Sequence, residues 1–159
     1  MMRARMNRRW LFAAIALLAA MMFATAVWAA PWWINGDVTI GPFGARSCFG
    51  GECRPTGLRW AGGTDLWMRS AIATGAAGVI AMLTSLGVAG GFAARREPVL
   101  VAKMSLVSIA CAIACAAYFV TKMPELQGTA IGAGMILYAA AIVIGAVTPL
   151  AVLRRHRRA

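Results

Sequence analysis

Acidic side chains are scarce in this chain: five Asp and Glu stand against 16 Lys and Arg in 159 residues. None of the five falls inside the long apolar runs, where carboxylates usually mark proton relays and ion pathways. A proton-coupled transporter therefore loses most of its support. Histidine occurs once, as His156 within a basic run, and two neighbouring sulfurs lack the four ligands of a structural metal site. No metal or cofactor is expected. The connections hold no nucleophile–base pair, so catalysis is not expected either. Long repeats and low-complexity linkers are also missing, and residues 1–159 read as a single domain.

What is present is grease. The chain is 61% hydrophobic and 13% charged, with mean hydropathy +0.73, well away from the profile of soluble domains. Four apolar stretches cover residues 10–30, 70–93, 98–121 and 128–153. Each reaches the roughly 20 residues that a helix needs to cross a hydrocarbon core about 30 Å thick. A soluble domain of this size could not bury four such helices. The reading is an all-α membrane protein, an up-down four-helix transmembrane bundle with a small β-containing extracytoplasmic loop between helices 1 and 2. A basic start, an apolar run and Val27-Trp28-Ala29 loosely resemble a cleavable signal peptide. The run is too long and bulky for one, and retention as a first span is expected.

The net charge of +11 raises the question of nucleic acid, and its placement answers it. Arg3, Arg5, Arg8 and Arg9 precede the first span, Arg95 and Arg96 follow the second, and Arg154, Arg155, Arg157 and Arg158 close the chain. Lys103 joins them about a turn inside the third span, where its stem can snorkel outward. Only Arg46, Arg54, Arg59, Arg69 and Lys122 belong to the opposite side. The positive-inside rule puts both termini in the cytoplasm. The partner of those tails is then the bilayer itself, through anionic headgroups, and not nucleic acid. The Ala/Arg-rich composition points to a bacterial source, hence to the inner (plasma) membrane.

Helices in lipid associate through close packing and polar contacts. Gly87-x-x-x-Gly91 in the second span and Gly128-x-x-x-Gly132, read as opening the fourth, are candidate packing positions. Ser108, Ala112 and Ala116 form a smooth strip along the third, where Cys111 and Cys115 act as small packing residues. Pro149 is placed to bend the inner end of the fourth.

Residues 31–69 form the large outer loop; the connections at residues 94–97 and 122–127 are short. Within the loop, Asp37-Val38-Thr39-Ile40 alternates like a strand and Gly41-Pro42-Phe43-Gly44 supplies a turn. Cys48 and Cys53 flank Gly50-Gly51, which lets the chain fold back until the two thiols meet. A structural disulfide is the favoured reading, with a redox-active pair as the alternative. Trp28, Trp32, Trp33, Trp60 and Trp67 bracket the loop and are expected as anchors at headgroup level.

Pro31-Trp32-Trp33 after the first span, Gly41-Pro42-Phe43, the cysteine pair, and Leu66-Trp67-Met68-Arg69 entering the second span resemble the claudin and peripheral-myelin-protein tetraspan superfamily. That family runs Trp, Gly-Leu-Trp, then two cysteines that staple a β-sheet. Here Phe43 stands in the Gly-Leu-Trp position, and the cysteines are closer together. The resemblance implies a non-catalytic tetraspan protein whose stapled loop serves partner binding, self-association or membrane organisation. The competing expectation is a membrane thiol–disulfide oxidoreductase using Cys48 and Cys53, for which Arg46 and Arg54 would favour the thiolate.

Overall fold

The computed structural model describes residues 2–96 and 98–157, with side chains from residue 8 onward. The side chains of Arg3 and Arg5, and residues Glu97 and Arg158, lie outside the described residues. Four helices are long and apolar enough to cross a membrane: α1 (Met2–Ala24), α2 (Asp65–Ala93), α3 (Val99–Thr121) and α4 (Ala133–His156). They mark the chain as a multi-pass membrane protein. α1 continues into a single π-helical turn, Thr25–Ala29, closed by the Ala30 N–H donating to the Thr25 carbonyl at 2.8 Å. α1 packs against α2 and α4, and α3 packs against the same two.

The helices are inside-out by the standards of a soluble protein. Many buried positions are small, among them Ala16, Ala71, Ala81, Ala102, Ala112 and Ala141. Leu18, Met21, Ile80, Leu83, Val107 and Val143 point outward. In α3 only 22% of the apolar window is buried within the protein. Such a distribution leaves large aliphatic groups in contact with the surroundings, which is stable where the surroundings are hydrocarbon.

Segments between the helices build a five-stranded sheet, order β4-β3-β2-β1-β5, from β1 (Trp33–Asn35), β2 (Val38–Gly41), β3 (Gly44–Phe49), β4 (Glu52–Thr56) and β5 (Ala130–Ile131). All neighbours are antiparallel. The expected strand and its Gly-Pro-Phe-Gly turn coincide with β2 and the β2–β3 turn. β5 was not foreseen: it comes from the connection between α3 and α4, read from sequence as minimal. Asn35 Nδ2 fastens that connection, donating to the Gln127 carbonyl and to Thr129 Oγ1, each at 2.9 Å.

β5 also corrects the reading of Gly128 and Gly132. Both precede α4 instead of opening it, and Gly128 takes φ +77° in a turn. Gly132 is instead a point of backbone contact, its N–H donating to the Trp32 carbonyl at 2.8 Å. Gly134 N–H donates to the Pro31 carbonyl at 2.7 Å. These are amides at a helix start, satisfied by the segment that follows the first span. A Cβ at Gly132 would collide with the Pro31 carbonyl, so the approach requires glycine.

α2 starts earlier than hydropathy indicated because Thr64 caps it, its Oγ1 accepting from the Trp67 N–H at 3.2 Å. The polar first turns with Asp65 and exposed Arg69 lie beside the sheet. Opposite the sheet, the start of α1 meets the ends of α2 and α4. Phe12 and Phe92 stack at 5.6 Å, and the Arg155 guanidinium lies 4.9 Å above the Phe12 ring. The described cations Arg8, Arg9, Arg95, Arg96, Arg154 and Arg157 belong to this same end, and Lys103 is exposed one turn into α3. α4 runs on through Pro149.

Gly87 and Gly91 both lie where α2 meets the start of α3: added Cβ atoms would fall 2.9 Å from Val101 and 2.6 Å from Pro98. Gly78 is hemmed in on two sides, with Tyr138 and Val27 each 2.8 Å from a Cβ there, whereas Gly90 faces open space. Gly78→Val is expected to destabilise by about 1–3 kcal/mol through overpacking. Gly90→Ala is expected to leave stability unchanged or slightly raised. SDS titration of the purified protein, followed by circular dichroism, measures both.

Candidate functional site

The sheet sits on the helices through one aromatic cluster. Antiparallel pairing sets Trp33, Ile40, Ala45 and Thr56 opposite one another on the inner face, and the first three are buried. Beneath them lie Trp32 and Trp67, each 1% exposed, with Phe23, Phe119 and Tyr138. Ring centroids are 4.9 Å apart for Trp32–Tyr138 and Trp33–Phe119, and 5.3 Å for Trp67–Phe119. Three of the buried polar tips have partners. Trp32 Nε1–H donates to the Ala26 carbonyl at 2.8 Å, Trp67 Nε1–H to the Phe119 carbonyl at 3.0 Å, and Tyr138 O–H to the Thr74 carbonyl at 3.0 Å. The first ties the loop to the turn that ends the first span, and the other two link α2 to α3 and to α4.

The tryptophans expected at headgroup level therefore divide. Trp32, Trp33 and Trp67 are interior side chains, because the sheet folds down over them, while Trp28 and Trp60 remain exposed. Phe43, at the tip of the β2–β3 turn, reaches over Gly75 of α2, where an added Cβ would lie 2.6 Å from its ring. It lies 6.5 Å from Trp28. Pro31 and Gly41, with Trp28, Phe43 and Arg46, line an open groove of about 310 Å³ between the sheet and the end of the first span. Arg69 is exposed on α2, outside this cluster. Phe119, Tyr138 and Gly134 escaped the sequence reading; each looks like an ordinary span residue until the partner carbonyl or ring is known.

Cys48 and Cys53 form a disulfide across paired positions of β3 and β4. Gly50 and Gly51 make the two-residue turn with φ +59° and +88°, the left-handed pair that matches strand twist. Alternation from buried Ala45 puts both cysteines on the sheet's outer face with Arg46 and Pro55. The inner face of this hairpin projects past the helices. There Ser47, Phe49, Glu52, Arg54 and Thr56 surround a second open pocket of about 320 Å³, with Phe49 66% exposed. Arg54 pairs with Glu52 at 3.1 Å in the open, an interaction of little energetic weight. Chemically the arrangement offers a rigid rim with one aromatic and both charge signs. Cys111 and Cys115 are free on α3, and no cluster able to hold a metal ion occurs among the described residues.

Trp67→Phe keeps the ring but leaves the Phe119 carbonyl without its donor, and is expected to destabilise by about 1–3 kcal/mol in the SDS titration. Replacing both Cys48 and Cys53 by Ser opens a short closed loop, for an expected loss of about 2 kcal/mol in the chain-entropy model. Maleimide mass-tagging after reduction should add two tags to the native chain that the double variant lacks. No protein family, curated protein or solved structure matches the chain.

Proposed function

We propose that the protein is a non-catalytic tetraspan membrane protein, a four-helix bundle whose disulfide-closed outer loop binds a protein partner or a second copy of itself. The observation that carries this reading is the β3–β4 hairpin. It overhangs the helices, presents Phe49 to solvent, and is held at its tip by Cys48–Cys53. An exposed aromatic on a preorganised support is the kind of anchor on which binding energy concentrates. The claudin-like plan is proposed with it, supported by the stapled sheet that follows the first span and by Phe43 standing where that family carries tryptophan.

The sheet is proposed to face outside a bacterial inner membrane, with both termini cytoplasmic. The concentration of arginine at the other end supports this orientation. The anionic inner leaflet is the proposed partner of the tails. Thiol–disulfide exchange has less support: the pair lies on the outer face of a regular hairpin, whereas the other two cysteines belong to α3.

The test is a photo-crosslinking amino acid at position 49 in intact cells. A discrete adduct, lost when the crosslinker is moved to exposed Leu100 at the opposite end of the molecule, is the expected outcome. Absence of any adduct at position 49, or mixed disulfides of Cys48 or Cys53 with secreted proteins, would contradict the proposal.

A further inference from the structure

Three hydroxyls in the spans behave unlike the rest. Ser70, Thr74, Thr84, Ser108 and Thr121 each donate to a carbonyl three or four residues back in their own helix. That is how helices in hydrocarbon silence a hydroxyl. Ser85, Ser105 and Thr148 do not. They are 2%, 0% and 0% exposed, and their oxygens have no hydrogen-bond partner in the protein.

They also occur at one level. Gly91 lies against Pro98 and Gly87 against Val101, and continuing this antiparallel register sets Ser85 of α2 beside Ser105 of α3. Gly145 of α4 lies against Ile109, and the same step along that pair sets Thr148 beside Ser105. The apolar interior is divided here. One cluster includes Ala81, Ile109 and Ala141, and the other Val88, Ala102 and Val152. On each of the three helices the unpartnered hydroxyl falls between the two.

A fourth polar group joins them. Pro149 has no N–H to give to the carbonyl of Gly145, one turn back, so that carbonyl lacks its ordinary helical donor. A Cβ at Gly145 would meet Ile109, Ala19 and Phe23 at 3.4, 3.5 and 3.7 Å, so α4 packs closely on α3 and α1 at this level. Three hydroxyls and an acceptor carbonyl are the two to four polar partners that a buried water requires.

We propose that this layer is a water-binding site, in which an ordered water bridges the Gly145 carbonyl with the hydroxyls of Thr148, Ser105 and Ser85. The absence of a carboxylate selects a neutral ligand over a cation. The water joins α2, α3 and α4 where side-chain packing alone provides only small residues, and it fixes their register. The inference is independent of what the hairpin binds.

The sign of a substitution's effect separates a wet layer from a dry one. In a dry layer, Ser105→Ala or Thr148→Val removes an unsatisfied group, so both raise the SDS-unfolding midpoint. With water bound, each strips a ligand from it, and both lower the midpoint. NMR of the native protein in lipid nanodiscs reads the water directly. Magnetisation should pass from water to the amides of Ser105 and Thr148 and not to those of Ala81 and Ala112. No transfer at the layer, or raised midpoints, would overturn the proposal. A native midpoint that climbs with sodium chloride but not choline chloride would also overturn it, in favour of a monovalent cation.

Discussion

In hydrocarbon an unpaired backbone amide or carbonyl costs several kcal/mol, and this one constraint arranges the protein. It forces the four apolar runs into helices and moves the sheet to one end, where its free edges can meet water. It also decides what happens where helices stop. The carbonyls of Ala26 and Phe119 accept the indole N–H groups of Trp32 and Trp67, and the amides of Gly132, just before α4, and Gly134, in its first turn, donate to Trp32 and Pro31. The aromatic cluster is therefore more than a greasy floor under the sheet. It completes the hydrogen bonding of the spans while burying the sheet's inner face.

Because that cluster draws on every helix, the sheet inherits their rigidity. The β3–β4 hairpin then extends a fixed platform instead of a floppy loop, and its disulfide removes the remaining freedom at the tip. At the opposite end, among the described residues, a cation–π contact and a stacked phenylalanine pair join the helix ends beside the arginines. The two ends thus differ in chemistry, a sheet over an aromatic cluster at one and a group of arginines at the other.

Much of this was legible in the chain. Long unbroken apolar runs specify helices because few other structures survive in lipid, and Cys48-Phe49-Gly50-Gly51-Glu52-Cys53 encodes a stapled turn almost by itself. The strand at Val38–Gly41 showed in its alternation. The errors share one physical origin, which is contact between segments distant in sequence. β5 is only two residues long and exists because β1 offers it an edge. Gly128 and Gly132 mimic a helix-packing spacing, but the Pro31 carbonyl gives Gly132 its purpose. Trp32, Trp33 and Trp67 carry the composition of interfacial anchors, and only the fold of the sheet over them makes them interior. The start of α2 was readable after all: Thr64-Asp65 is a helix cap, hidden by reliance on hydropathy.

Throughout, lipid is taken as the medium that the outward-facing Leu, Ile, Val and Met side chains contact. Sedimentation of the purified protein, with and without detergent, tests this most directly. A single species in detergent that aggregates on detergent removal, and recovers on reconstitution into bilayers, is the predicted result. A monodisperse species in plain aqueous buffer with its helices intact would contradict the account.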